Sequence, residues 1–292
     1  MTSSNRISHH AVVHSDKDSR SKNDFDVAIP LPIPLVREDD LRVPDRPVDS
    51  GGNAEKTVLV QASEPAPGSI EKVAGTVRPP KKYQFPYHSV GKLLMTAPNG
   101  KEYVASGFMI TNDLILTAAH CVHTGPGGGG YFKNIRFRPG HPWAAVEVSA
   151  RTVAVFEKWT VNGKHAYDYA FFKTDYPILL GGTLGITITE RGVPSGPRNA
   201  EGYPAEPPFD GVSVTEAVSE TFWGGNPTKE GWYSMRDNDM TGGSSGGPWI
   251  NPETVGQVEG LNSFKFEDRP NQMNSPFFGP ELRDLYNSIV NS

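Results

Sequence analysis

The stretch "TGGSSGGPW", Thr241 to Trp249, sets two glycines, two serines, two more glycines and a proline side by side. Glycine adopts backbone conformations that side chains forbid, so such a run turns tightly and lets neighbouring N–H groups converge. Acyl transfer needs a serine hydroxyl beside N–H donors aimed at the developing oxyanion. Ser245 is accordingly read as a nucleophile, with the N–H groups of Gly243 and Ser245 as its oxyanion hole. A glycine-rich hairpin would look the same, so the decision rests on what else the chain carries.

Serine attacks only when a neighbouring base takes its proton, and histidine is the usual base because it titrates near neutrality. "ILTAAHCVH", Ile115 to His123, places His120 at the end of an apolar strand-like run, among small residues that fix its backbone. His123, His141 and His165 lack such a setting and are expected at the surface. A third group must hold the imidazole in the correct tautomer and stabilise the imidazolium. "AYDYAFFK" supplies Asp168 immediately before another apolar run, where a carboxylate can be buried and hydrogen-bonded. With a base of ordinary strength, activity is expected to fall below a pH of about 6.5.

Chain order separates two folds. The letters around Ser245 also satisfy G-x-S-x-G, the nucleophile elbow of α/β-hydrolases, but those enzymes place an acid and then a histidine after the serine. All eight histidines of this chain precede Ser245. From about Val73 the texture is one of short strand-like runs. They include "HSVGKLLMT", "YVASGFMIT", "LILTAA", "IRFRPG", "VEVSARTVAVF", "YAFFKT", "GITIT", "GVSVTEAVSETF" and "GQVEGLNSFKF". Between them "APNG", "GPGGGG", "PSGPRN" and "GGNP" read as turns or loops. The last segment, "GPELRDLYNSIVNS", has Leu282, Leu285, Ile289 and Val290 at helical spacing. Many short strands and one closing helix predict an all-β barrel protein.

"LTAAHC", "DYAFF" and "GGSSGGP", in this order, resemble the trypsin and chymotrypsin superfamily of serine peptidases. "ASGFMIT", "GYP" at Gly202 to Pro204, and "EKVAGTVR…FPYHSVGKL" look more like its glutamyl-endopeptidase branch. The resemblance runs from Val73 to the C-terminus. It implies two orthogonally packed six-stranded antiparallel β-barrels with the triad His120, Asp168 and Ser245 in the cleft between them. It also implies a polypeptide substrate, no cofactor, a monomer and a secreted enzyme. Asp239, six residues before Ser245, and Met240 stand where the family lines its specificity pocket. "GLNSFK" resembles the strand that flanks the substrate backbone, which makes Asn262, Ser263 and Phe264 substrate-binding candidates. Asn262 stands where glutamate-specific members carry histidine. Ser244 replaces the aspartate that pairs with the freed N-terminus of animal trypsins, and Ala105 or Ser106 replaces the cysteine that would partner Cys121.

Residues 1–72 differ in texture. They hold "IPLPIPLVREDDLRVPDRP" and Ser/Gly/Glu/Pro-rich stretches with few aromatics, and read as a disordered tail or as a propeptide covering the enzyme. On the propeptide reading, cleavage after Lys72 would release them and leave a peptidase domain of residues 73–292. No signal-peptide core is visible near Met1. Of the 292 residues 36% are hydrophobic and 21% charged, while 31 Gly and 26 Pro favour turns over long helices. A net charge of −5 leaves no basic footprint for nucleic acid, and no apolar run approaches the roughly 18 residues of a membrane span. The single cysteine excludes an intrachain disulfide. No H-E-x-x-H is present for zinc hydrolysis, and no papain- or caspase-like signature surrounds Cys121. A silent homologue that only binds peptides in the cleft is the remaining alternative, and the complete set of three reactive side chains argues against it.

Overall fold

The computed structural model describes residues 6–12, 29–37, 56–58, 76–78, 84–127, 129–140, 147–189, 196–223, 231–254 and 256–292. Short strands precede the main body: β1 (Ile7–Ala11), β2 (Ile29–Pro30), β3 (Leu35–Val36), β4 (Lys56–Val58) and β5 (Thr76–Arg78). Next come β6 (Val90–Thr96), β7 (Glu102–Thr111), β8 (Leu114–Thr117), β9 (Lys133–Pro139), β10 (Val148–Phe156) and β11 (Ala170–Thr174). These six close on themselves as an antiparallel barrel in the order β9-β6-β7-β8-β11-β10, with β10 returning to β9. Full closure leaves no unpaired edge within the ring. Leu93, Phe108, Phe137, Val153 and Phe172 are fully buried, and the rings of Phe137 and Phe172 meet edge-on at 6.5 Å.

The second sheet uses β12 (Gly185–Thr189), β13 (Gly196–Gly202), β14 (Thr215–Trp223), β15 (Trp232–Met235), β16 (Pro248–Ile250), β17 (Gln257–Leu261), β18 (Phe264–Phe266) and β19 (Arg269–Pro276). Their order is β18-β19-β15-β14-β13-β16-β17-β12. The sheet curls until its far strands meet: the Leu261 N–H donates to Ser275 Oγ at 2.8 Å and the Ser263 N–H to the Asn274 carbonyl at 3.0 Å. Among these eight strands one pairing departs from the antiparallel rule, since β12 runs parallel to β17.

Nearly every run read as a strand is one. The exceptions are instructive. "PSGPRN" reads as a turn, yet Gly196–Gly202 is a strand held between β14 and β16. Three of its buried residues, Arg198, Asn199 and Glu201, are polar, which hides the apolar alternation: Arg198 pairs with Glu259 at 2.5 Å and Asn199 donates to Glu216 at 3.0 Å. The polar β19 is likewise buried through side-chain amides. Gln272 donates to Ser234 Oγ at 3.1 Å, Ser234 donates to Asn274 Oδ1 at 2.7 Å, and Asn274 donates to the Phe264 carbonyl at 3.0 Å.

The described parts of residues 1–72 are short strands laid on the main body. β1 pairs with β10, β2 with β7, β3 with β18 and β4 with β12. The junction after Lys72 lies outside the described residues, as does His141. Among the described residues no helix is long and apolar enough to cross a membrane.

Short helix α1 (Glu157–Thr160) follows β10, and α2 (Pro280–Val290) closes the chain against β10 and β11. Pro280 opens α2, where its missing N–H is not needed. Leu282, Leu285 and Ile289 are buried in the first barrel's core cluster, whereas Val290 is 44% exposed and does not share that face. Leu285→Ala should therefore lower unfolding free energy by about 2–5 kcal/mol. Val290→Ala should stay within about 0.5 kcal/mol of the parent. Equal shifts in a urea titration would mean that α2 is not seated as described.

Candidate active site

His120 lies in a single 3-10 turn, Ala119–Cys121, directly after β8, and Asp168 follows a second such turn, His165–Tyr167, directly before β11. Because β8 and β11 are paired, both residues emerge at the same end of the barrel. The Asp168 carboxylate is completely buried. Its Oδ1 accepts the His120 backbone N–H at 2.8 Å, and its Oδ2 faces His120 Nδ1 at 2.7 Å. A third donor comes from the other sheet: Ser263 Oγ–H donates to Oδ2 at 2.5 Å.

Burial of Asp168 by itself would raise its pKa. The charge and hydrogen bond of His120, helped by His165 and Ser263, outweigh that effect and hold the carboxyl below its ordinary value. For His120 the contest is the mirror image. Burial pulls the imidazole down, but the Asp168 carboxylate, with Cys121 adding to it, raises it above its ordinary value. Asp168 is therefore a carboxylate near neutrality and needs a proton at Nδ1 facing it. That leaves Nε2 on the opposite side of the ring.

Ser245 sits on the loop between β15 and β16, fully buried, and its carbonyl accepts the Ser106 N–H at 2.8 Å and the Cys121 thiol at 3.7 Å. The bond to Cys121 brings the loop beside His120. Ser245 Oγ and His120 Nε2 are both buried, and among the described residues neither has a hydrogen-bond partner. In the neutral imidazole, with its proton on Nδ1, Nε2 is an acceptor for a hydroxyl such as that of Ser245.

The loop is pinned from both sides. Ser106 Oγ–H donates to the Gly243 carbonyl at 2.8 Å, and the Tyr203 N–H donates to Ser106 Oγ at 2.9 Å. Gly243 has φ of +95°, a conformation that turns its N–H away from the loop. That N–H donates to a peptide carbonyl, Leu31 O, at 3.0 Å. Gly247 has no room for a side chain, because a Cβ there would lie 1.9 Å from the Glu201 carbonyl.

The remaining candidates divide. Met240, Ser263 and Phe264 are fully buried, whereas Asp239 is exposed and so does not form the floor of a closed pocket. Asn262 is occupied with the loop itself. Its Nδ2 donates to the carbonyls of Glu201 at 3.0 Å and Ser244 at 3.1 Å, and its Oδ1 accepts the Trp249 indole N–H at 2.8 Å. Ser263 likewise acts through Asp168. Ser244 Oγ turns back to the Thr241 carbonyl at 2.8 Å.

Two histidines expected at the surface are not there. His123 is buried, edge-on to Tyr131 at 4.7 Å, and its Nδ1 accepts the Gly125 N–H at 3.0 Å. His165 is half-buried against Phe264 and Trp159, with ring centroids at 4.8 and 5.6 Å. Sequence reasoning also missed Lys265, whose ammonium donates to the carbonyls of Asn238 at 3.0 Å and Pro270 at 2.6 Å. Burial lowers its pKa to about 8 despite nearby Asp239. Nothing in its sequence neighbourhood signals a buried lysine.

Solved serine proteases share this fold. The protease Anisep from Arthrobacter nicotinovorans superposes with a TM-score of 0.62 at 27% identity, over 72% of this chain and 99% of that one. The thermostable serine protease AL20 from an extremophilic microorganism gives 0.59 at 26% identity, over 70% and 98%. A Bacillus subtilis (strain 168) protein named an extracellular metalloprotease is 26% identical over 165 residues, 54% of this chain. The chain spans about half (51%) the length of that curated relative. The metal in that name finds no counterpart among the described residues, which include no group of three or more His, Cys, Asp or Glu able to hold an ion. The trypsin-like peptidase domain matches residues 105–261, more than half of the sequence and the span that holds His120, Asp168 and Ser245. The chain belongs to the trypsin-like peptidase family.

Proposed function

We propose that this protein is a serine endopeptidase in which Ser245 attacks the peptide carbonyl, His120 is the general base and Asp168 orients it. The observation that carries the proposal is the buried Asp168 carboxylate at 2.7 Å from His120 Nδ1, which leaves Nε2 free to take the Ser245 proton. In the first step the Oγ–C bond forms as the proton passes to Nε2. The carbonyl electron pair moves onto oxygen, where the N–H groups of Gly243 and Ser245 stabilise it. Collapse expels the amine, which takes the proton from Nε2, and water repeats the sequence on the acyl-enzyme. The imidazolium that forms transiently lies against a carboxylate already in place.

That Gly243 already holds a peptide carbonyl at 3.0 Å supports its part in this scheme. The same contact supports reading the cleft as a place that takes peptide backbone. A silent binding domain would need the same cleft. It would have no use for a serine hydroxyl and an imidazole nitrogen both buried without a hydrogen-bond partner among the described residues.

Ser245→Ala should lower turnover by about 10⁶-fold, because the three residues act as a unit. Ser244→Ala should keep most activity, since that hydroxyl is bound to Thr241. Peptide hydrolysis assays on the two variants check the assignment, and a reversed order would move the nucleophile to Ser244.

Asp168→Asn should cost roughly 10⁴-fold in kcat through the wrong imidazole tautomer. Retained activity would transfer the orienting role to another carboxylate.

The pH dependence follows from the ion pair. A raised His120 pKa means the base is lost to protonation sooner as pH falls. The acid limb of kcat/KM should therefore lie above the ordinary histidine value of about 6.5, not at it as the sequence suggested. A profile with its limb at or below that value would show that Asp168 does not raise His120.

A further inference from the structure

Residues Ile29 to Arg37, "IPLPIPLVR", cross from one sheet to the other over the loop that carries Ser245. β2 pairs in parallel with β7 at Tyr103 and Val104, and the Leu31 N–H donates to the Val104 carbonyl at 2.8 Å. The Leu31 carbonyl then accepts the Gly243 N–H at 3.0 Å. Beyond it the Lys265 N–H donates to the Pro34 carbonyl at 2.9 Å and the Glu267 N–H to the Val36 carbonyl at 3.1 Å, where β3 runs parallel to β18. Leu31, Ile33 and Val36 turn inward and are 8–9% exposed, while Leu35 faces out at 63%. Ile33 joins the cluster that includes Met240, Met235 and Met273, and Val36 joins Trp232, Phe264 and Phe266.

We propose that Ile29–Arg37 is a built-in inhibitor of the peptidase site, seated as a peptide ligand with the Leu31 carbonyl in the oxyanion hole, and that the cleft takes extended apolar peptides. The proposal rests on the serine-peptidase reading above. Three features carry it. Ser245 is completely buried, and the strap's contact with the same loop lies two residues away at Gly243. One of the two donors that would stabilise the oxyanion, the Gly243 N–H, is already satisfied by the strap. The alternating Pro30, Pro32 and Pro34 fix φ and pre-extend the segment, which reduces the entropy lost on seating it. The bond behind the seated carbonyl, Leu31–Pro32, ends on a proline ring, so its leaving nitrogen is a hindered tertiary amide with no N–H.

The strap also marks what the cleft prefers. The subsites that hold Ile33 and Val36 are walled by methionine and aromatic side chains, with the Arg269 guanidinium stacked over the Phe266 ring at 4.5 Å. A peptide with a medium aliphatic side chain in the place of Ile33 fits this lining.

The test uses full-length chains carrying Ser245→Ala, so that nothing is cut, with and without the pair Leu31→Asp and Ile33→Asp. The probe is a fluorescein-labelled peptide of sequence IPLPIPLVR, followed by anisotropy, with circular dichroism confirming that each chain is folded. The chain with the substituted strap should bind the probe at least about tenfold more tightly, because a filled cleft reduces apparent affinity by the fraction left open. Leu35→Asp, on the exposed face, should leave affinity as in the parent. Equal affinity in the two chains, or no binding by either, overturns the inhibitor. With Ser245 restored, the substituted strap should lower KM for a peptide substrate and leave kcat unchanged. Gained probe binding without hydrolysis in any chain would keep the inhibitor and remove the peptidase reading.

Discussion

One buried carboxylate organises this molecule. Asp168 is removed from water, and an isolated ion in that position would be prohibitively costly. It is tolerated because three donors converge on it: the His120 backbone N–H, the His120 ring and the Ser263 hydroxyl. The first two come from the closed barrel and the third from the start of β18 in the other sheet. The same contacts that satisfy the charge therefore fix the position of the imidazole, its tautomer and the approach of the second sheet. Removing one partner would leave the charge uncompensated, which is where buried pairs become expensive. The site and the junction between sheets are one structure.

The loop that carries Ser245 is secured by hydrogen bonds from both sheets. Ser106 is the hinge of that arrangement, since it holds the Gly243 and Ser245 segments and receives the Tyr203 N–H. Asn262 completes the clamp from the second sheet by gripping the Glu201 and Ser244 carbonyls. Each bond is worth only about 1 kcal/mol net, but leaving one of these buried groups unpaired would cost more. The loop's geometry is thus over-determined, which is what preorganised donors require. Cys121 survives as a small buried group whose thiol caps the Ser245 carbonyl.

Much of this was legible from residues alone. Strands with apolar alternation, such as β7 and β10, announced themselves, as did α2 through Leu282, Leu285 and Ile289. His120, Asp168 and Ser245 stood out because the chemistry needs those types in that company. What stayed hidden has a common physical cause: polar residues buried through long-range partners. Arg198 in β13 makes sense only once Glu259 is beside it, and Asn274 in β19 only with Ser234 and Phe264. Asn262 invited a role toward substrate, yet its amide is filled by the loop it supports. The alternating prolines of residues 29–37 read as part of a disordered tail or propeptide until Leu31 is found against Gly243. Local pattern carries no trace of such distant pairings.

The account's central claim is that His120 and Asp168 make Ser245, and no other hydroxyl, reactive. It is tested most directly by treating the full chain carrying Leu31→Asp and Ile33→Asp with a fluorophosphonate and mapping the adduct by peptide mass spectrometry. The account predicts a single adduct on Ser245, formed much more slowly when Asp168 is replaced by Asn. An adduct on Ser244 or another residue, or no adduct while the chain remains folded, would contradict it.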